Sequence, residues 1–141
     1  FVRLLAGVVE SAEGAIAASA GPGVVWHRAD AVLSMTKSAA AGEVPYELTV
    51  NLSVGAPVDG RLGMRSHGMG RYGREEFYVT ATRPQMPDAL DLVLGMVRWL
   101  ATSTHQLPTG ETVGRSADEK VEVRREPHPD RPGETVIRLD L

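Results

Sequence analysis

The chain predicts an α+β domain, a mainly antiparallel sheet covered by two or three helices, and three observations carry that prediction. Residues 46–54 alternate with period two: Tyr46, Leu48, Val50, Leu52 and Val54 stand against Glu47, Thr49, Asn51 and Ser53, as in a half-buried strand. Leu90, Val93, Leu94, Val97, Leu100 and Ala101 recur at helical spacing within one long segment. The apolar runs after residue 46 are separated by compact turns rich in glycine and proline, so consecutive strands fit a meander.

Taken in order, Phe1, Leu4, Leu5, Val8 and Val9 form a helical stripe, and residues 15–19 follow as a short apolar strand. Gly21, Pro22 and Gly23 punctuate the chain, and Ala29, Val32, Leu33 and Met35 resume a helical pattern that should end by Gly42. After the strand at 46–54, residues 57–60 make a turn. Strands are then expected over 61–66 and 76–81, with a glycine-rich segment between them.

Pro87 and Asp88 suit a first helical turn, where a missing amide proton costs nothing and a carboxylate complements the helix dipole. A long helix over 87–104 should therefore lie across the sheet, each large side chain it buries contributing about 1.5 to 3 kcal/mol before conformational entropy. On this reading Trp99 packs into the core. Residues 120–124 and 135–141 read as two further strands of an antiparallel pair, joined by a Pro-rich loop.

At 141 residues the chain has the size of one domain, 1–141, with no linker long enough to divide it. A hydrophobic content of 43% argues against wholesale disorder. The formal charge of -3 gives no broad drive toward nucleic acid or anionic lipid. The absence of cysteine excludes disulfides and thiolate chemistry and fits a reducing, cytoplasmic setting. No apolar run is long enough to span a bilayer. The stripe beginning at Phe1 has no cap residue before it, which suggests that upstream sequence is missing.

Residues 63–77 hold the densest chemistry. Gly63, Gly68, Gly70 and Gly73 are too many for ordinary helix or strand and imply a tight turn, with Ser66, His67, Arg71, Arg74, Glu75 and Glu76 on or beside it. A second compact turn runs through Gly110, Glu111, Thr112, Val113 and Gly114.

These two strings, with Gly14-Ala-Ile-Ala17 upstream, resemble the bacterial domain-of-unknown-function family numbered 4261. In that family a Thr-x-Gly-Leu…Phe-Gly-x-Glu segment, a long helix and a Gly-Asp-Thr-Ile-Gly turn follow one another. Here Ser66, Met69, Tyr72, Glu111 and Val113 stand where the family has Thr, Leu, Phe, Asp and Ile. The resemblance implies a bacterial α+β domain whose N-terminal portion would precede Phe1, and it implies no settled activity.

Ser66, His67 and Glu75 or Glu76 have the residue types of a nucleophile, base and orienting acid. Adjacent strand residues point to opposite faces, however, and there is no Gly-x-Ser-x-Gly elbow, so a turn organised by side-chain hydrogen bonds is the simpler expectation. His27, His67, His105 and His128 never fall at the spacing that places two ligands on one helix face, so neither a metal nor another cofactor is expected. Arg61, Arg65, Arg71 and Arg74 could cradle an anion, but pairing with Glu75, Glu76 and Asp118 is the commoner fate of such arginines.

The reading is a non-enzymatic, cytoplasmic bacterial binding or accessory module, in a toxin, immunity or secretion setting. Its binding residues are Ser66, His67, Arg71, Arg74, Glu76, Glu111 and Thr112, presented to a protein partner, with no catalytic or metal-binding residue expected. The alternative is a small enzyme or anion-binding domain built on Ser66, His67, Glu76 and Thr112. A third expectation is that the chain is part of a larger fold, paired with its upstream portion or with another copy through an exposed sheet edge.

Overall fold

The computed structural model describes residues 11, 17–19, 26–40, 46–57 and 59–141. The helix expected over residues 1–9, the start of the strand at 15–19 and the punctuation at Gly21, Pro22 and Gly23 lie outside these residues. The chain forms two compact units, Phe1–Asn51 and Leu52–Leu141. The fold is α+β, with a mixed but mostly antiparallel sheet of five strands.

In the first unit, β1 (Ala17–Ser19) pairs antiparallel with β2 (Trp26–Arg28), and α1 (Ala29–Ala40) follows without a loop. Asp30 occupies the first turn of α1, accepts a 2.9 Å hydrogen bond from the Ala31 amide and pairs with Arg28. Val32 and Leu48 form the centre of this unit's core, with Ala29, Leu33 and Met35 packed against them.

The expected strand over 46–54 begins late. Tyr46–Leu48 is a turn of 3-10 helix, and β3 runs over Asn51–Val54. The Tyr46 carbonyl accepts the amides of Thr49 (2.9 Å) and Val50 (2.7 Å) and the Thr49 hydroxyl (3.2 Å), so local bonds occupy groups a ladder would have used. Tyr46, Leu48 and Val50 are buried as the alternation predicts, but Thr49 and Asn51 are buried as well and Val54 is exposed, because the 3-10 turn breaks the period-two pattern.

In the second unit, β4 (Arg61–His67) and β5 (Glu76–Thr82) pair antiparallel with Met64 opposite Val79 and Arg65 opposite Tyr78. An antiparallel pair forms near the C-terminus between β8 (Arg124–Pro127), which begins where the expected strand over 120–124 should end, and β9 (Thr135–Asp140). β9 also lies beside β5, parallel to it, placing Ile137 next to Phe77 and Arg138 next to Tyr78. The sheet order is therefore β3-β4-β5-β9-β8, which a simple meander does not contain. The strand expected over 120–124 splits at Val123. Its first half, β7 (Val121–Glu122), pairs with β6 (Thr112–Val113), while Val123 exchanges backbone hydrogen bonds with Gly110 and Glu111.

The long helix α2 (Met86–Thr102) packs on β5, with Pro87 and Asp88 in its first turn. Its buried side chains are Ala89, Leu92, Val93, Met96, Val97 and Leu100, a stripe rotated from the expected one. Leu90 is exposed, and so is Trp99, at 43% of its surface, which corrects the core role expected of that indole. One sheet face supplies the matching apolar wall: Met64, Phe77, Val79, Ala81, Ile137 and Leu139 are all buried. The opposite face carries Arg65, Tyr78, Thr80, Arg138 and Asp140.

Candidate functional site

The glycine-rich segment forms the β4–β5 connection and is built around one buried carboxylate. Glu76 is 7% exposed; it accepts the Ser66 hydroxyl at 2.6 Å and the amides of Gly68 and Met69 at 2.8 and 3.1 Å. The Ser66 oxygen in turn accepts the Phe77 amide at 2.7 Å. Between these points Met69–Tyr72 makes a turn of 3-10 helix, anchored by the fully buried Met69 side chain. Gly73 closes it in the left-handed region at φ 67, a conformation that an L side chain adopts only with strain.

Arg74 joins the connection to the helix. Its guanidinium donates to the Leu100 carbonyl at 3.0 Å and to the Ser103 carbonyl, at the end of α2 where carbonyls lack helical partners. Glu75 accepts from Arg125 at 2.7 Å and from the Thr135 hydroxyl. The expected pairing of Arg61, Arg65 and Arg74 with Glu75, Glu76 and Asp118 is therefore not the arrangement formed. Arg61 donates to the carbonyls of Thr80 and Leu141, and Arg65 pairs with Asp130.

Of the seven expected site residues, Ser66 and Glu76 meet each other, and both are buried. The His67 side chain goes the other way, its Nε2 lying 2.9 Å from the Ser53 hydroxyl. No Ser66–His67 contact couples a base to the hydroxyl, whose proton is directed at Glu76. Arg71 is exposed at the tip, where its amide donates to the Gly68 carbonyl at 3.2 Å while its guanidinium has no hydrogen-bond or ionic partner among the described residues.

Glu111 lies 3.3 Å from His105 Nε2, and Thr112 is exposed on β6. A cleft of about 230 Å³ is lined by Gly73, Arg74 and Glu75 from the first turn and by His105 and Leu107 beyond α2. His105 also stacks against Trp99, with ring centroids 5.0 Å apart and planes tilted by 36°. Trp99 itself borders a groove of about 340 Å³ between α2 and β6, with Met96, Thr112, Val113 and Arg115. The Trp99–His105 contact thus links the cleft bordered by the first glycine turn to the groove bordered by the second. Arg115 reaches Asp88 and Glu119, and this guanidinium holds the Glu119 carboxyl below its ordinary range.

Trp99 and His105 escaped the sequence reading. The available signal was Trp99's place on the flank of the helical stripe, where the choice between core and surface depends on a small rotation of the helix. Among the described residues no group of three or more His, Asp or Glu side chains is arranged to hold a metal ion. Nor is any described helix long and apolar enough to cross a membrane. Comparison with protein-family models, curated proteins and solved structures finds no match for this chain.

Proposed function

We propose that this chain is a non-enzymatic binding or accessory module, and that the strip joining its two glycine turns docks a protein partner. The observation that carries the reading is the exposed Trp99, which borders the groove with Thr112 and stacks on His105, a wall of the cleft that Arg74 and Glu75 also line. A large aromatic ring held in place by a neighbour offers contact area at small entropic cost, which is why indoles dominate interface energetics. Arg71, two residues from the cleft-lining Gly73, supplies a cation whose donors no described residue occupies.

In this reading Ser66, Arg74 and Glu76 act by rigidity. They fix the turn before binding, so little conformational entropy is lost when the partner docks. The partner presents an apolar side chain to Trp99 and a carboxylate to Arg71. The family resemblance of the two glycine motifs supplies the bacterial setting, with toxin, immunity or secretion systems as the contexts to search.

The test is affinity capture from bacterial extract with the full chain, alongside Trp99→Ser and Arg71→Glu variants verified as folded by circular dichroism. A protein retained by the wild type and lost from both variants supports docking through this strip. A partner retained equally by all three, or no specific partner, sinks the proposal.

A further inference from the structure

The sheet face turned away from α2 carries a second feature, independent of the docking strip. A groove of about 630 Å³ lies over β4, β5 and β9, and Arg61, Arg65, Tyr78, Thr80 and Arg138 line it. Tyr78 stands between two guanidinium groups, with Arg65 4.9 Å and Arg138 4.7 Å from its ring centroid. Register enforces this order, because Arg65 and Arg138 are the direct neighbours of Tyr78 on the flanking strands. Cations at that distance from a ring are attracted by its quadrupole, so the phenol holds both arginines upright over the sheet.

Gly63 makes room for the ring. A Cβ at this position would lie 3.0 Å from both Cε2 and the hydroxyl of Tyr78, closer than side chains ordinarily approach. The Tyr78 hydroxyl therefore sits over a backbone without a side chain, and it has no hydrogen-bond partner among the described residues.

Donors remain unspent here. Arg65 uses Nη1 on Asp130, and Arg61 uses Nη2 on two backbone carbonyls, leaving Nε and one terminal nitrogen of each without a protein acceptor among the described residues. Arg138 is the most committed of the three, contacting Asp140, Glu126 and the Thr80 hydroxyl. Asp59 is the one carboxylate among the lining residues.

Spacing selects the ligand. Arg65 and Arg138 approach Tyr78 from the two flanking strands, so its ring stands between their guanidinium groups, 4.9 and 4.7 Å from its centroid, whereas Arg61 and Arg138 both reach Thr80. Cations held apart by a ring do not converge on one small anion. We propose that this groove binds an elongated small molecule carrying an anionic group at each end, a bisphosphate or a long dicarboxylate, with Tyr78 facing its middle.

The experiment is calorimetric titration of the full chain, at fixed ionic strength, with fructose 1,6-bisphosphate, suberate, malonate and orthophosphate. The two long probes are expected to bind at least tenfold more tightly than the two short ones, since a second charged hydrogen bond is worth roughly that factor. Preference between bisphosphate and suberate separates the two ligand chemistries. Arg65→Ala should weaken the better long probe roughly tenfold, and Gly63→Val, which displaces the tyrosine, should weaken it as well. Arg65 contacts an exposed aspartate rather than the backbone, so its variant remains informative if Arg61→Ala fails to fold. Equal affinity for long and short probes, no binding by any probe, or unchanged affinity in folded Arg65→Ala overturns the proposal.

Discussion

Replacing Glu76 with glutamine tests whether this carboxylate organises the glycine connection. The substitution preserves shape but removes the charge from three hydrogen bonds and turns one acceptor oxygen into an NH2 donor. One oxygen accepts the amides of Gly68 and Met69 and the other accepts Ser66, so the amide oxygen can serve the two backbone donors while its nitrogen confronts the Ser66 hydroxyl. Ser66 can then no longer donate there, and its oxygen already accepts the Phe77 amide. Losing one charge-assisted bond and weakening two others should cost about 2 kcal/mol. For a unit of roughly 90 residues that corresponds to a fall in Tm of about 8 to 16 °C. Urea denaturation at neutral pH, repeated for Ser66→Ala and the double variant, measures both the loss and its coupling. A glutamine variant within about 0.5 kcal/mol of wild type, or strictly additive effects of the two substitutions, would refute the reasoning, because groups sharing a network couple by more than that.

Other perturbations test other joints. Arg74→Met removes the donors to the Leu100 and Ser103 carbonyls, and should cost about 1 to 2 kcal/mol with faster amide exchange in the last turn of α2; unchanged exchange there would contradict the cap. Gly114→Ala drives a methyl group into the Glu119 carbonyl, which is backbone and must move, so a loss of about 2 kcal/mol or more is expected in thermal melts, against almost none at the unobstructed Gly70. Trp99→Ser, at an exposed position, should change stability by less than about 1 kcal/mol, and a larger loss in urea would return Trp99 to the core. Asp140 provides a pH test. Burial alone pushes its carboxyl upward, but the Thr80 hydroxyl and the Arg138 and Arg124 guanidinium groups together hold it below the ordinary range. Its stabilising contribution is therefore complete above the unfolded value of about 3.9 and is lost as pH falls through the lower folded value. Asp140→Asn should be less stable than wild type at pH 7, with the gap closing under acid; a gap that stays constant down to pH 2 contradicts the assignment.

Which features the sequence disclosed depended on the range of the interactions that fix them. The long helix was legible because Pro87, Asp88 and a repeating apolar stripe act locally, yet its rotation was not, since the choice of Leu92 and Met96 over Leu90 and Leu94 is made by the sheet it packs on. Alternation placed Tyr46, Leu48 and Val50 correctly inside but missed the burial of Thr49 and Asn51 and the exposure of Val54, because three bonds to a single carbonyl keep Tyr46–Leu48 out of the sheet. The parallel contact between β5 and β9 joins residues some sixty positions apart, and no turn motif announces it. The turns around Gly68–Gly73 and Gly110 were recognisable, although Gly63 belongs to β4 and Thr112–Val113 to β6, whereas the partners of the arginines were not. Arg74 finds α2 and Arg65 finds Asp130, choices that exist only once the chain has folded.

The same hairpin therefore separates two kinds of residue that looked alike in the sequence. Ser66, Arg74 and Glu76 spend their hydrogen-bonding groups on the protein itself, and substituting them should change stability before it changes recognition. The Arg71 guanidinium, on the exposed tip, has no such internal obligation among the described residues, so its loss should leave stability within about 0.5 kcal/mol of wild type. A stability screen run alongside the capture experiment distinguishes these roles. If Arg71→Glu destabilises as much as Glu76→Gln, the tip is part of the scaffold, and its effect on any partner is indirect.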